Sequence, residues 1–267
     1  MRTIAHISDL HFGVAVPRVV EGLLRDLRER APSLVVISGD LTQRARRTQF
    51  AAARAFFDQL TSPYLVVPGN HDVPLYDVVR RFARPLGRYQ KIITPELDPT
   101  FEDDELLVVG INTARSLVWK AGKISSEQIE GLRRRLAHAG PRFKVVVTHH
   151  PFIPSPLSPD TGIDLGRAAE ALAVLETAEV DLLLAGHLHH GYTGDTRSYF
   201  AAARRSIISV QAGTAVSRRV RHEPNAYNWI TLQPKAIAVE VRIWADGVFR
   251  ENRTSRFALH ETGWMVA

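Results

Sequence analysis

"VVPGNHDVP", residues 66–74, ends an apolar run in Gly69, Asn70, His71 and Asp72 with no spacer. Gly, Asn and Asp all suit a tight turn, but a turn has no particular use for a histidine among them. The stretch is either an ordinary turn or a strand end that presents metal-binding side chains. The same grammar recurs along the chain. Ile4–Ile7 runs into "SD", Leu34–Ile37 into "SGD", Val145–Val147 into "THH" and Leu182–Leu184 into "AGH". Each reads as a buried strand ending in a polar loop. Between these runs lie four segments with apolar residues at helical spacing. "PRVVEGLLRDLRERAP" (17–32) has Pro17 at a helix start, and "TQFAAARAFFDQL" (48–60) follows. "SSEQIEGLRRRLAHAG" (125–140) has Ser125 or Ser126 as a cap and Gly140-Pro141 as a stop, and "DLGRAAEALAVLETAEV" (164–180) completes the set. Strands alternating with helices predict an α/β fold with largely parallel strands.

Two segments break the alternation. Val73–Asp104 shows no clear strand and reads as an excursion over one edge, near the rim of the strand ends. From Tyr199 the pattern turns to strands, "SIISVQAG", "AYNWITL" and "AIAVEVRIW", which predict an antiparallel second sheet over roughly 199–250. "PFIPSPLSPD" (151–160) is Pro-rich and short enough for a rim loop. With 267 residues, 45% hydrophobic, and no repeat or linker, one domain over 1–267 is expected.

The chain has no cysteine, which excludes disulfides, thiolate nucleophiles and Cys-based zinc sites. "MRTIAHIS" reads directly as a strand, and no apolar run approaches the roughly 20 residues that span a bilayer. A cytoplasmic location is the expectation. Net charge is +6 and the pI about 9.9, but the arginines are scattered over helical and polar stretches, Arg44, Arg46 and Arg47 among them. They read as solvated faces, so no dedicated nucleic-acid surface is expected.

The strand ends deliver Asp9 and His11, Asp40, Asn70 and His71, His149 and His150, and His187 and His189. In open α/β sheets functional groups gather beyond the carboxyl ends of the strands. Imidazole nitrogens with carboxylate and amide oxygens suit borderline divalent metals. There are too many ligands for one ion, but they fit two if one carboxylate bridges, and Asp40, alone at its strand end, is the natural bridge. The pairs Asp9/His11 and His187/His189, if locally extended, point both side chains to one side. Two ions about 3.5–4 Å apart suit in-line displacement at phosphorus by hydroxide. His6, His138, His222 and His260 lie in strand, helix or loop contexts and read as structural.

Together these blocks resemble the calcineurin-like metallophosphoesterases, whose signature runs D-x-H, G-D, G-N-H-D or G-N-H-E, His, and G-H-x-H. Here it reads "DLH" (9–11), "GD" (39–40), "GNHD" (69–72), "THHP" (148–151) and "GHLH" (186–189). The resemblance implies a four-layer α/β/β/α sandwich and a metal-dependent phosphoric ester hydrolase. It implies Asp9, His11, Asp40 and His189 on one metal and Asp40, Asn70, His149 and His187 on the other. His71 would contact the phosphate and help protonate the leaving oxygen, Asp72 would orient His71 by a hydrogen bond, and His150 would line the site or pack. With every ligand in place, an enzyme is favoured over the scaffolds that share this fold.

The compact length and full signature look most like the bacterial class III cyclic-nucleotide phosphodiesterases. A small phosphodiester, a cyclic nucleotide or a glycerophosphodiester, is the expected substrate. A pyrophosphatase for a nucleotide-linked lipid precursor such as UDP-2,3-diacylglucosamine comes second, then a nuclease. Arg115 in "INTARS" could bind a phosphate, and Arg218, Arg219, Asn225 and Tyr227 are further rim candidates. "RRFARPLGRYQ" (80–90) could form a basic lip. Manganese, iron, zinc and cobalt suit the ligand set equally, and the sequence leaves the oligomeric state open.

Overall fold

Successive side chains of a strand point to opposite faces, so a strand covered on both faces must be apolar at every position. In the computed structural model, which describes residues 1–117, 121–153, 167–199, 203–221 and 223–267, the central strands follow this rule with few exceptions, such as His6, which bonds Ser38. The rim-loop residues 154–160, the start of the 164–180 segment and His222 lie outside the described residues.

The first sheet is built on β1 (Arg2–Ile7), β2 (Leu34–Ser38) and β3 (Tyr64–Val67), which run parallel. Its other half is β10 (Ala226–Gln233), β11 (Ala236–Ala245), β12 (Val248–His260) and β13 (Gly263–Val266), all antiparallel neighbours. The second sheet runs in the order β4 (Thr100–Glu102), β5 (Leu106–Ile111), β6 (Phe143–Thr148), β7 (Leu182–Ala185), β9 (Ile208–Gln211), β8 (Tyr192–Asp195). β5, β6, β7 and β9 are parallel, and β4 and β8 close the edges antiparallel.

Ile4, Leu34, Val36, Leu65 and Val67 face Leu106, Val108, Val145, Val147, Leu182 and Leu184 between the sheets. The alternate residues Ala5, Ile7, Val35, Ile37 and Val66 pack outward under helices α1 (Pro17–Arg30) and α2 (Arg47–Phe57). Leu107, Val109, Val146 and Leu183 pack outward under α5 (Ser126–Ala137) and α6 (Ala168–Thr177). The result is a four-layer α/β/β/α sandwich with two mixed sheets. Pro17 opens α1, and Ser125 caps α5 by accepting from the backbone N–H of Gln128.

Two expectations need correction. The strands from residue 226 onward do not make a second sheet. β10 pairs antiparallel with β1, so they extend the first sheet past the edge that β2 leaves free, and they continue to Val266 rather than stopping near 250. β9, in the "SIISVQAG" stretch, instead joins the parallel run beside β7. The Val73–Asp104 excursion holds two short helices, α3 (Val78–Ala83) and α4 (Gly87–Ile92), and also the edge strand β4. A three-residue strand with a single apolar residue, Phe101, carries too little alternation to be read from sequence.

Candidate metal centre

The loops after β1, β2, β3, β6 and β7 meet at the carboxyl edge of the two sheets. They bring together all seven residues expected to hold metal. Asp9, His11, Asp40 and His149 are fully buried, and His189 nearly so. Five of the seven, Asp9, His11, Asp40, His187 and His189, have φ between 45° and 75°. Left-handed backbone at non-glycine residues costs about 1–3 kcal/mol each and persists only where the surroundings over-determine it. Here the loops brace one another: Asp9 N–H donates to Gly39 O (3.2 Å), His11 N–H to Asp40 O (2.9 Å), Gly186 N–H to His149 O (3.0 Å) and His187 N–H to Asp9 Oδ2 (3.0 Å). The i, i+2 pairs are therefore not extended as the sequence suggested. Left-handed turns aim them, and His187 and His189 go to different groups.

On one side His11 Nε2 lies 3.5 Å from Asp9 Oδ1 and 3.6 Å from Asp40 Oδ2, and His189 Nε2 lies 3.6 Å from Asp9 Oδ1. On the other, His149 Nε2 lies 3.4 Å from Asp40 Oδ1 and 3.1 Å from Asn70 Oδ1, and His187 Nδ1 lies 3.0 Å from Asn70 Oδ1 and 3.2 Å from His149 Nε2. Asp40 offers one oxygen to each side. Ligand atoms about 2.1 Å from a common ion stand roughly 3.0–3.5 Å apart, so both groups have the edge lengths of coordination shells. The glycines of the sequence blocks follow from this crowding. A side chain at Gly69 would collide with the Asp40 carboxylate, and one at Gly39, with φ +93°, would collide with the His149 ring.

The chemistry of the atoms fits a cation. Asp9 Oδ1 and both ring nitrogens of His11 are buried with no hydrogen-bond partner, an arrangement that costs free energy unless something positive sits there. His149 donates its Nδ1–H to Ser38 O (2.8 Å), which turns the Nε2 lone pair toward Asp40 and Asn70. Thr214 Oγ1 holds His189 Nδ1 at 2.7 Å in the same way, a supporting contact the sequence reading did not find. Burial pushes His149 down, yet the Asp40 carboxylate outweighs it and raises the ring to about 9. Burial works on Asp40 in the opposite sense, and His149 and His71 overturn it and hold the carboxyl well below the usual range. Burial pushes His187 down to about 3, with the charge of His149 adding to it, and pushes His189 down to about 4 against the pull of Asp9. The lowered rings of His187 and His189 and the ionised Asp40 are in the forms that metals take, whereas His149 would give up a proton on binding one.

The remaining expectations divide. His71 stands at the rim, its ring edge-on to His11 at 4.9 Å, with Nδ1 3.0 Å from Gln43 O. Asp72 does not orient it. The Asp72 carboxylate accepts from Leu41 N (3.1 Å), Gly69 N (2.9 Å), Thr42 N (2.9 Å) and Thr42 Oγ1 (3.0 Å), which joins the loops after β2 and β3. His150 is fully buried behind the ligands, 4.6 Å from the His187 ring centre, with Nδ1 on Thr113 Oγ1 (2.7 Å), so it packs and does not face substrate. Its unpartnered Nε2 turns toward His149 and His187.

Arg115 points away from the centre, because Asn112 O, Ala114 O and Gln128 Oε1 take its guanidinium, and it lines a separate cavity of about 720 Å³ under α4. Tyr227 is core, donating to Asp26, and Asn225 braces the loop after β9 through Thr214 O and Ser217 O. Arg218 is exposed, whereas Arg219 reaches His71, its Nη1 2.8 Å from Nε2. Arg44, expected on a solvated face, also reaches His71, 3.4 Å from Nδ1. Nothing local in the sequence marks this pairing, because 175 residues separate Arg44 from Arg219 and a strand of the other sheet brings the second one in. His6 is structural as read, buried against Ser38 Oγ (2.9 Å), and burial lowers it to about 3. His138 and His260 are exposed.

Residues 2–191 match the family model described as calcineurin-like phosphoesterase. The chain is 24% identical over 202 residues to a "probable cyclic nucleotide phosphodiesterase" of Synechococcus sp., covering 71% of this chain and 74% of that one. It is 29% identical over 225 residues to a "cAMP/cGMP dual specificity phosphodiesterase" of Mycobacterium tuberculosis, covering 78% and 67%. Among solved structures, a dimetal phosphatase from Danio rerio superposes with a TM-score of 0.67 at 16% identity, covering 94% of this chain and 98% of that one.

Proposed function

We propose that this chain, which belongs to the calcineurin-like phosphoesterase family and so hydrolyses phosphoesters, is a two-metal phosphodiesterase acting in the cytoplasm on a small phosphodiester such as a cyclic nucleotide or a glycerophosphodiester. The observation that carries the reading is the shared Asp40 carboxylate between two groups of ligands with coordination-length edges. The names of the phosphodiesterase relatives support the substrate class.

In this reading Asp9, His11, Asp40 and His189 hold one ion, and Asp40, Asn70, His149 and His187 hold the other. The pair of ions, manganese, iron, zinc or cobalt, supplies an activated water and neutralises charge on the phosphoryl oxygens. The chain supplies position and a proton. Asp40 fixes the spacing of the two groups, and its Oδ1 also accepts the backbone N–H of His71 at 2.8 Å, which locks the rim histidine to the same carboxylate. His71 donates Nδ1–H to Gln43 O, so Nε2 is the atom turned to the leaving oxygen; it accepts from Arg219 at rest and would have to take up a proton before giving one. Burial lowers the His71 pKa, so the neutral ring is its resting form.

The test is hydrolysis of bis(p-nitrophenyl) phosphate beside p-nitrophenyl phosphate by stripped protein reloaded with manganese, followed by cyclic nucleotides and glycerophosphodiesters. Metal-dependent cleavage that favours the diester is expected. No cleavage by protein with verified metal content would overturn the reading. Replacing Asp40 or Asn70 with Ala should abolish turnover.

A second reading, a pyrophosphatase for a nucleotide-linked lipid precursor, has its own observation. Tyr76, Val78, Val79, Phe82 and Leu117 are all more than half exposed beside the centre. Buried Arg81 ties Ser116 O and Pro74 O together and so brings the segment before Leu117 to that before α3. Such apolar exposure suits acyl chains. Turnover of a lipid-linked diphosphate with no turnover of small diesters would favour it.

A further inference from the structure

Arg44 and Arg219 approach each other across His71. Arg219 Nη1 stands 2.8 Å from His71 Nε2 and 3.4 Å from Gln43 Oε1, and Arg44 Nη1 stands 3.4 Å from His71 Nδ1 and 3.0 Å from Gln43 O. Both side chains are half-buried. Neither makes an ion pair among the described residues. Arginines elsewhere at comparable burial have clear employment: Arg30 forks onto Glu240, and Arg115 is taken up by carbonyl and amide oxygens. Two like charges converging without a carboxylate repel one another and lose hydration, a cost that an anionic ligand offsets.

The scissile phosphate does not account for them. Two divalent ions against the carboxylates of Asp9 and Asp40 and the attacking hydroxide would leave a net charge of about +1, which a monoanionic diester already balances. The two guanidiniums flank the His71 ring, Arg44 at Nδ1 and Arg219 at Nε2, and add positive charge beyond that balance. Beside Arg44 a cavity of about 120 Å³ is lined by Gln43, Arg44, Asn70, His71, Val73, Leu75 and Arg81, and Arg219 stands across the His71 ring from Arg44. The cavity has room for one further group of phosphate or carboxylate size.

We propose that Arg44 and Arg219 form an anion subsite adjoining the metal centre, built for a substrate that carries a second phosphate or a carboxylate close to its scissile phosphoester. The inference rests on the phosphoesterase reading above and narrows it. Guanidinium geometry favours a forked, bidentate grip on such a group, and Gln43 holds the two arginines apart to receive it. Arg219 then leaves His71 Nε2 when the anion arrives, which frees that nitrogen for the leaving oxygen.

Two probes separate the subsite from the metal centre. Methylphosphonate carries a phosphonate alone, and phosphonoacetate carries a phosphonate with a carboxylate beside it. Their affinities are measured by calorimetry on manganese-loaded wild type, R44Q, R219Q and the double variant, with manganese content determined in each sample and bis(p-nitrophenyl) phosphate hydrolysis as a control on the wild type. In wild type, phosphonoacetate should bind about tenfold or more tightly than methylphosphonate, the worth of one charge-assisted hydrogen bond. The ratio should fall several-fold in each single variant and vanish in the double one. A ratio near one in wild type, or one that survives in the double variant, overturns the subsite. Equal losses for both probes also overturn it, because the arginines would then serve the scissile group. A wild type that holds manganese but hydrolyses no diester overturns the underlying reading instead, and the control shows which has failed.

Discussion

Replacing Asp72 with alanine separates two accounts of that residue. One has it orienting His71, and the structure has it joining two metal-bearing loops. Asp72 is 1% exposed, and its carboxylate accepts three backbone N–H groups, Leu41, Thr42 and Gly69, plus the Thr42 hydroxyl. The hydroxyl keeps another partner in His71 O, so alanine orphans the three amides. Each unsatisfied buried amide costs about 1–3 kcal/mol, roughly 3–9 in all. A water admitted to the vacated space can bond two of them, which leaves a loss of about 2–5 kcal/mol. That is survivable for a domain of ordinary stability, about 5–15 kcal/mol. The damage falls on the residues next to Asp40 and Asn70, so metal retention should suffer before chemistry does. Urea titration should show a lower midpoint at unchanged slope, and metal analysis should show less manganese per chain. His71→Ala should do the reverse, keeping metal and stability while turnover drops by about 10²–10⁴. An Asp72→Ala protein with full manganese and a wild-type midpoint, but with turnover as low as that of His71→Ala, would refute the loop-joining account.

Three further outcomes are expected. Gly69→Ala places a methyl against the Asp40 carboxylate and backbone N, so the protein should fold with a wild-type circular dichroism spectrum yet bind manganese substoichiometrically; full occupancy would contradict the crowding. Asp26→Ala removes the carboxylate that pairs with Arg242 at 2.9 Å and accepts from Tyr227, which ties α1 to β10 and β11. It should cost about 1–3 kcal/mol in urea unfolding because the Tyr227 hydroxyl and two Arg242 donors lose their acceptor while Arg242 keeps Glu240 and Phe249 O, with turnover per folded molecule unchanged. Arg115→Ala should lower stability by about 1–3 kcal/mol, through the carbonyls and amide it leaves, while the KM for a diester stays within about twofold, less than the ~1.4 kcal/mol that a tenfold change in binding represents. A large rise in KM would return Arg115 to the substrate.

What could be read in the chain and what could not follow from where the information sits. The strand ends were legible because both faces of β1, β2, β3, β6 and β7 are covered, so each strand is largely apolar and the cluster of polar residues after it is conspicuous. The ligands were legible because histidine has no structural reason to recur there. The left-handed φ values at Asp9, His11, Asp40, His187 and His189 were not, since none is glycine. Only the mutual bracing of loops from both sheets makes that backbone tenable, and that bracing is a tertiary fact. Arg115 and Arg219 mark the limit most sharply. Each follows a strand of the second sheet, and as dipeptide contexts neither is the better phosphate ligand. The difference is that Asn112, Ala114 and Gln128 satisfy one guanidinium locally, whereas β9 delivers the other across the sheet boundary to a histidine on the first sheet. A side chain's availability for substrate depends on which partners have already claimed it, and for arginines at strand ends those partners come from elsewhere in the fold.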